Sequence, residues 1–419
     1  MKRWIWIPVV IVLAGALVTW RAFTVSIPHR PDVPVTPEMV MRGEYLVRAA
    51  DCVSCHTTSG HEPFSGGRQF DLGSMGKLYS PNITPDKETG IGTWSDDDFR
   101  AALQLGVGKG GVHLYPAFPY ASFTLLSDAD VLAIKAYLFS LKPVHAVAPP
   151  NAMRFPYDQR WLMAYWSWLF DPDHRLADDS SKPPEWNHGR YLVEALGHCG
   201  ECHTSRNFLQ AVERSKAYAG AITQKWKAYD ITPDKATGIG DWSDDDLVSY
   251  LSTGFAKGHG PAGGPMAEAV SNSLRFLPAA DIHAVVTYLR SLTPIPSAVP
   301  SAIATGAQAD PPSETADVGY GRQVYVRECA SCHRLNGRGV QSEYEALGGS
   351  ETVSDPQAIN LTQAVLYGSS IDTVNGHVQM LGFGGGLSNL DVAAVVNYTA
   401  QQLGGHSPGL SPQDIAARR

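Results

Sequence analysis

Six cysteines and three histidines in this chain are spaced for one kind of chemistry. They fall in three copies of a five-residue motif: Cys52-Val-Ser-Cys55-His56, Cys199-Gly-Glu-Cys202-His203 and Cys329-Ala-Ser-Cys332-His333. Two intervening residues hold the sulfurs about one helical turn apart, so each can form a thioether to one vinyl group of the same porphyrin. The histidine that follows lies under the ring and ligates iron through an imidazole nitrogen. A zinc ribbon pairs two Cys-x-x-Cys units around one metal; here the units are odd in number and each runs directly into His. A disulfide framework is the other alternative, but there are only 6 cysteines in 419 residues and all lie inside the motifs. The motifs predict three covalently attached haem c groups, with His56, His203 and His333 on the irons.

Each iron needs a group on its other face, and methionine is the usual choice for electron transfer because its thioether favours iron(II). Only 8 methionines are present. Met266 follows the glycine-rich stretch Gly258 to Pro265, and Met380 lies in Gln-Met-Leu-Gly-Phe; each precedes the last helix of its unit. Both are expected to be ligands. The first unit breaks the pattern. The matching position holds Phe118, in Tyr115-Pro-Ala-Phe118-Pro-Tyr120, and phenylalanine cannot bind iron. Met163 is ranked first as a replacement, with Met75, Met153, His113 or an open site as alternatives.

These ligands must be positioned by repeated elements. Gly43-Glu-Tyr-Leu-Val precedes Cys52, and Gly189-Arg-Tyr-Leu-Val precedes Cys199. Asn82 to Asp98 matches Asp230 to Asp246 at 14 of 17 positions, at an offset of 148. The third unit, entered through Gly321-Arg-Gln-Val-Tyr, lacks this insert. Thr36-Pro37-Glu38 opens a helix, and Ser127-x-x-Asp130 and Ser388-x-x-Asp391 cap the closing ones. A glycine-bearing first helix crossing an aromatic-bearing last helix is the packing of a small cytochrome c domain. The runs Asp96 to Asp98 and Asp244 to Asp246 each follow Trp-Ser and read as first turns capped by Ser95 and Ser243 rather than as cation sites.

The fold class that follows is all-α: three cytochrome c domains in tandem behind an N-terminal membrane anchor. The anchor or signal segment spans 1–23, with Lys2 and Arg3 before an apolar run flanked by Trp4, Trp6 and Trp20. The domains span 36–142, 187–293 and 316–403. An aromatic-rich connection covers 143–186, an Ala-Pro-Ser linker 294–315 and a polar tail 404–419. Hydrophobic content of 44% and charged content of 18% suit a globular chain, and the net charge of −8 with no basic run argues against nucleic acid as a partner. Haem attachment to such motifs takes place outside the cytoplasm, which puts the haem domains on the periplasmic side of a bacterial membrane.

With these residues in view, the chain resembles the three-haem cytochrome c subunits of bacterial membrane-bound dehydrogenases acting on alcohols, gluconate, sugars and aldehydes. The resemblance rests on the three motifs, the Asn-Ile-Thr-Pro-Asp insert and the Tyr-Pro-Ala-x-Pro-Tyr loop. Phe118 and the Arg160-Trp-Leu-Met163-Ala-Tyr-Trp166 segment look more like the branch paired with molybdenum-hydroxylase-type dehydrogenases. The resemblance implies an electron-transfer subunit without a substrate-oxidising site of its own. Its expected partners are a catalytic dehydrogenase subunit, with molybdenum cofactor and an iron–sulfur subunit in that branch, and ubiquinone or a terminal oxidase. A haem enzyme that reduces peroxide at an open first haem, and a tethered carrier with no dedicated dehydrogenase, are the rival classes.

Overall fold

In each repeat, two helices touch where a glycine sits. The computed structural model describes residues 16–24, 29–171, 173–297, 319–374 and 376–419. Most of the expected anchor, including the whole run from Trp4 to Ala14, lies outside the described residues, and so does most of the linker 294–315. No described helix is long and apolar enough to cross a membrane. The chain divides into two compact units, one running to Ser181 and taking in Tyr191–His198, the other formed by Lys182–Arg190 and Cys199–Arg419.

In the first unit, Thr36 caps α1 (Pro37–Ala49) by accepting from the Met39 amide. Ser95 and Asp98 form a full capping box at α2 (Asp96–Leu105), and Ser127 caps α3 (Asp128–Ser140). α3 buries Val131, Leu132, Ile134 and Leu138, each contributing about 1.5–3 kcal/mol by leaving water. α1 lies across it: a Cβ on Gly43 would fall 1.9 Å from the Ala133 carbonyl oxygen and 2.8 Å from Tyr137 Cβ. Beside the helices lie a three-stranded antiparallel sheet of β1 (Gln69–Asp71), β2 (Gly76–Tyr79) and β5 (Ala152–Met153), and a hairpin of β3 (Val107–Gly108) and β4 (Val112–His113). α4 (Leu162–Phe170) comes from the aromatic connection.

The second unit repeats the crossing twice. In α5 (Pro184–Arg190) a Cβ on Gly189 would lie 1.9 Å from the Ala284 oxygen. Ser243 caps α6 (Asp244–Thr253); α7 (Gly264–Asn272) and α8 (Ala279–Arg290), which carries Ala284, follow. In α9 (Gly319–Glu328) Gly321 would meet the oxygen of Ala394 at 2.4 Å. α10 (Ile359–Tyr367) precedes α11 (Asn389–Gly404), which bears Ala394 and Tyr398. Three hairpins complete the unit: β6 (Ala221–Thr223) with β7 (Trp226–Ala228), β8 (Phe255–Ala256) with β9 (Gly260–Pro261), and β10 (Ser369–Thr373) with β11 (Gly376–Met380).

Two expectations need correction. The chain is helical in its cores but not all-α: among the described residues, five small sheets carry loops between helices. The hydrophobic periodicity marks core helices and is silent on two- to five-residue strands paired across short turns. Nor is 404–419 a loose polar tail. Ser411 and Asp414 form a capping box on α12 (Pro412–Arg418), and Ile415 is fully buried. Arg418 donates to the Ala358 carbonyl and Arg419 to the Leu387 carbonyl. A helix with one apolar anchor gives little amphipathic signal; Ser-Pro-x-Asp was the cue available.

The crossings set a stability prediction. Gly321→Ala should cost about 1–3 kcal/mol through overpacking, and Gly43→Val more, because two carbonyl-bearing backbones must separate. Thermal unfolding of the haem-loaded protein checks this; an unchanged Tm for either variant would refute the packing role.

Candidate functional site

Each motif folds as one short helical turn at the end of its first helix. The turns are Cys52–His56, Gly200–His203 and Ala330–His333. None of the six cysteines is in a disulfide. Burial pushes Cys52 and Cys199 up to about 12 and Cys329 up to about 11. A thiol held protonated suits an apolar slot better than a zinc thiolate site.

The histidines are fixed in one tautomer. His56 Nδ1 lies 2.8 Å from the Pro81 carbonyl oxygen, His203 Nδ1 2.7 Å from that of Tyr229, and His333 Nδ1 2.6 Å from that of Glu345. A carbonyl only accepts, so Nδ1 carries the proton and donates. Nε2 keeps its lone pair, the arrangement a metal-ligating imidazole uses. Burial also holds His56 and His203 below the usual imidazole range, keeping them neutral. Paired cysteines and an imidazole oriented through Nδ1, three times over, fit haem c.

The carbonyl acceptors were not foreseen, yet a signal for two of them was present. Pro81 and Tyr229 stand immediately before the repeated insert. Its first residue starts an Asx turn: Asn82 Oδ1 accepts from the Thr84 amide and Asp230 Oδ1 from the Thr232 amide. Asp86 and Asp234 tie the second half through Thr89 and Thr237. The insert thus braces the segment whose carbonyl orients the motif histidine. The third unit reaches the same bond with a shorter excursion, 12 residues from His333 to Glu345. The acidic runs are structural: Asp96 pairs with Lys135 at 2.6 Å, Asp97 with Arg100 at 2.9 Å, and Asp98 closes the cap.

The candidate sixth ligands sit in three settings. Met266 occupies the first turn of α7 and packs beside Ala267 and Val270, so it is helical rather than in a loop. Met380 ends β11, paired with Ser369. In the first unit, Phe118 packs on Phe123 at 5.5 Å between ring centres. Met75 and Met153 both lie at the β2–β5 edge, where the Arg154 amide donates to the Met75 carbonyl. That sheet runs on into Ser80 and Pro81, on the His56 side. Met163 lies elsewhere, in α4, one turn before Ser167, whose hydroxyl is 3.0 Å from that of Tyr120. Trp166 packs edge-on against Tyr120, and Arg160 covers the ring of Tyr115. The aromatic connection therefore straps over the loop that carries Phe118. His113, in β4, packs edge-on against Phe23, and its Nδ1 is buried without a hydrogen-bond partner.

The second and third motifs share one unit, latched by buried polar groups. Lys227 Nζ is 2.9 Å from Asp355 Oδ1, both nearly or fully buried, and Asn360 exchanges two hydrogen bonds with the Lys227 backbone. Tyr344 donates to the Thr253 carbonyl, and the Asp372 amide to Ser271. Burial pushes nearby Glu351 up to about 7; Lys227 opposes this, while Asp355 and Asp230 reinforce it.

Comparison with known proteins agrees with this geometry. The cytochrome c family model matches residues 40–142 and 318–402. The chain is 38% identical over 409 residues to the fructose dehydrogenase cytochrome subunit of Gluconobacter japonicus, covering 90% of this chain and 80% of that protein. It is 35% identical over 418 residues to the gluconate 2-dehydrogenase cytochrome c subunit of Pantoea cypripedii, covering 94% and 93%. It is also 38% identical over 396 residues to one of the subunits of nicotinate dehydrogenase from Pseudomonas putida, covering 91% of this chain but 32% of that longer protein.

Two outcomes test the latch. Lys227→Met strands Asp355 without its cation and should cost about 3–5 kcal/mol, whereas Lys227→Met with Asp355→Leu should recover most of the loss; urea unfolding of the three proteins decides. Glu351 keeps its proton in the folded state up to about pH 7, so the native protein loses stability as pH rises from about 4.5, where an unfolded glutamate ionises. Glu351→Gln should raise Tm above pH 7 and leave it unchanged near pH 4.

Proposed function

We propose that this chain, which belongs to the cytochrome c electron-transfer subunits of dehydrogenase complexes, carries three haem c groups and hands electrons from a catalytic subunit to ubiquinone or a terminal oxidase. Haem c and a dehydrogenase partner belong to the family; the number of haems, the ligands, the acceptor and the membrane-facing location are this proposal. The observation that carries it is the threefold bond from motif histidine to backbone carbonyl. One such bond could be incidental. Three, each on the histidine that follows a cysteine pair, support a reading of three equivalent iron sites.

Haem supplies a reversible iron(II)/iron(III) couple when bound. The chain's part is to hold and tune it. The six cysteines fix the porphyrins. His56, His203 and His333 are each presented in one orientation. Met266 and Met380 serve as the opposite ligands in the second and third sites. Met163 serves in the first, carried by the strap that replaces the methionine missing at Phe118. Its support is the shared face of Met163 and Ser167 on α4, anchored at Tyr120. Domains 36–142, 187–293 and 316–403 each hold one haem, behind the N-terminal anchor on the periplasmic side.

The partner is proposed to be of the molybdenum-hydroxylase type, acting on an aldehyde or an N-heteroaromatic. Phe118, the Arg160 to Trp166 segment and the identity to the Pseudomonas putida nicotinate dehydrogenase chain support this; the equal identity to the fructose dehydrogenase cytochrome favours a sugar. Mild-detergent extraction and identification of the co-purifying large subunit separates them.

Haem stoichiometry and ligand replacement test the rest. The purified chain should contain three haems, and Cys329→Ala with Cys332→Ala should contain two. Met163→Leu should open one haem to carbon monoxide and lower one midpoint potential, leaving the other two unchanged. Retention of full low-spin character by Met163→Leu would remove Met163 from the site.

A further inference from the structure

Inside the second unit, three carboxyls gather around a single cation. Lys227 Nζ is 2.9 Å from Asp355 Oδ1 and 5.2 Å from the centre of the Tyr229 ring. Glu351 and Asp230 complete the set. The three carboxyls differ in what holds them. Asp355 has Lys227 and also accepts from the Gln357 and Ile359 amides. Asp230 accepts from the Thr232 amide and the Thr237 hydroxyl. Among the described residues, no group donates a hydrogen bond to the Glu351 carboxyl. Glu351 is therefore the carboxyl that keeps a proton most easily, and desolvation pushes it up to about 7. It is only partly buried, so water can bring that proton.

The other ionisable neighbours leave this order intact. Burial holds the phenols of Tyr250, on α6, and of Tyr229 protonated, and the nearby carboxylates reinforce it. His406 Nε2 meets the Asp355 backbone carbonyl, and Arg418 donates to the Ala358 carbonyl. His259, one residue from the Gly260 that packs on Ser350, stacks on Trp242 and lies 3.9 Å from Asp246.

One residue joins this cluster to a motif histidine. The Tyr229 backbone carbonyl accepts from His203 Nδ1 at 2.7 Å, while its hydroxyl is buried on the side of Thr352, Glu351 and Asp355. The first repeat has Tyr79, Pro81 and Asn82 where the second has Lys227, Tyr229 and Asp230. It carries neither the cation nor the carboxyl at those positions.

We propose that Glu351 is a redox-linked proton site for the second iron: its carboxylate takes up one proton when the iron held by His203 gains an electron, and gives it back on oxidation. This rests on the reading of His203 as an iron ligand. The balance is one electron from the catalytic subunit, taking iron(III) to iron(II), and one proton from water, taking the carboxylate to the acid. No other bond forms or breaks. Lost positive charge disfavours a nearby carboxylate, so the midpoint potential is higher at low pH and falls as pH rises through about 7.

The test is a spectroelectrochemical titration of the full haem-loaded chain between about pH 5 and about pH 9. Reduction should raise the Glu351 protonation constant about tenfold, so one of the three midpoints should fall by about 59 mV in all. Glu351→Gln, a permanently neutral isostere, should hold that midpoint at its acid value throughout. Glu351→Asp should keep a pH-dependent midpoint. Asp230→Asn, which puts the residue of the first repeat into the second, removes a charge that reinforces the Glu351 proton and should move the inflection to lower pH. A pH dependence that survives unchanged in Glu351→Gln overturns the proposal. So does its complete loss in Asp230→Asn, which would make Asp230 the proton site. In the two-haem variant Cys329→Ala with Cys332→Ala the pH-dependent midpoint should persist; its loss would move the coupling to the third iron. Three haems with pH-independent midpoints sink this proposal alone, whereas a chain with no haem on Cys199 and Cys202 sinks the reading of His203 as a ligand.

Discussion

Everything in this chain hangs on the contact between two helices at a glycine. A Cβ at Gly43, Gly189 or Gly321 would sit 1.9 to 2.4 Å from a carbonyl oxygen of the facing helix, inside any van der Waals contact. No other residue lets the two backbones meet. The contact matters because the haem motif follows it directly. α1 ends at Ala49 and Cys52 opens the motif turn; α9 ends at Glu328 and Cys329 is next. A first helix held against the last one delivers the cysteines and the histidine to a fixed place. The geometry of the motif is therefore set by packing several turns away from it.

The second layer of control is the bond from each histidine to a carbonyl. In two sites the carbonyl belongs to the residue before the repeated insert, and the insert's Asx turns stiffen that strand. The two copies differ at their first residue in a way that bears on redox behaviour. Asn82 is neutral, and its amide donates to Thr89 and to the Val144 carbonyl. Asp230 is a carboxylate, 4% exposed, whose second oxygen accepts from Thr237, and burial raises its pKa. A buried carboxyl one residue from the carbonyl that holds His203 interacts with neighbouring charge far more strongly than the same group in water. The two sites share a ligand and a scaffold but not an electrostatic environment.

Much of this was legible in the sequence, for reasons that are local. Cys-x-x-Cys-His is a covalent signature, the caps at Thr36, Ser95, Ser127, Ser243 and Ser388 obey short-range hydrogen-bond rules, and Gly43 and Gly189 recur before their motifs. What stayed hidden depends on contacts between distant residues. The carbonyl of Glu345, unlike those of Pro81 and Tyr229, has no repeated insert beside it to mark it. The pairing of Lys227 with Asp355 spans 128 positions, and no local pattern joins them. Met266 looked like a loop residue because its flank is glycine-rich, yet Pro265 at the start of α7 nucleates a helix at once.

The strap over the Phe118 loop shows how the segment between repeats can cover a loop of the core without changing the fold. In the second unit the chain runs from the β8–β9 hairpin straight into α7 and Met266. In the first, the equivalent loop reaches Phe118, and the short helical turn after it carries Tyr120, fully buried. Tyr120 is held from outside, by Ser167 and Trp166 of α4. A segment that would serve as a plain connection between repeats is recruited to cover that loop. Its own aromatic surplus follows from that task. Tyr165 and Trp166 face inward to Phe23 and Tyr120, while Trp161, Trp168 and Leu169 stay about half exposed. A helix so apolar around its whole circumference is not one that water alone stabilises. Its inner face is explained by the loop it covers, and Trp161, just ahead of its first residue, lines a recess together with His113 and Arg160.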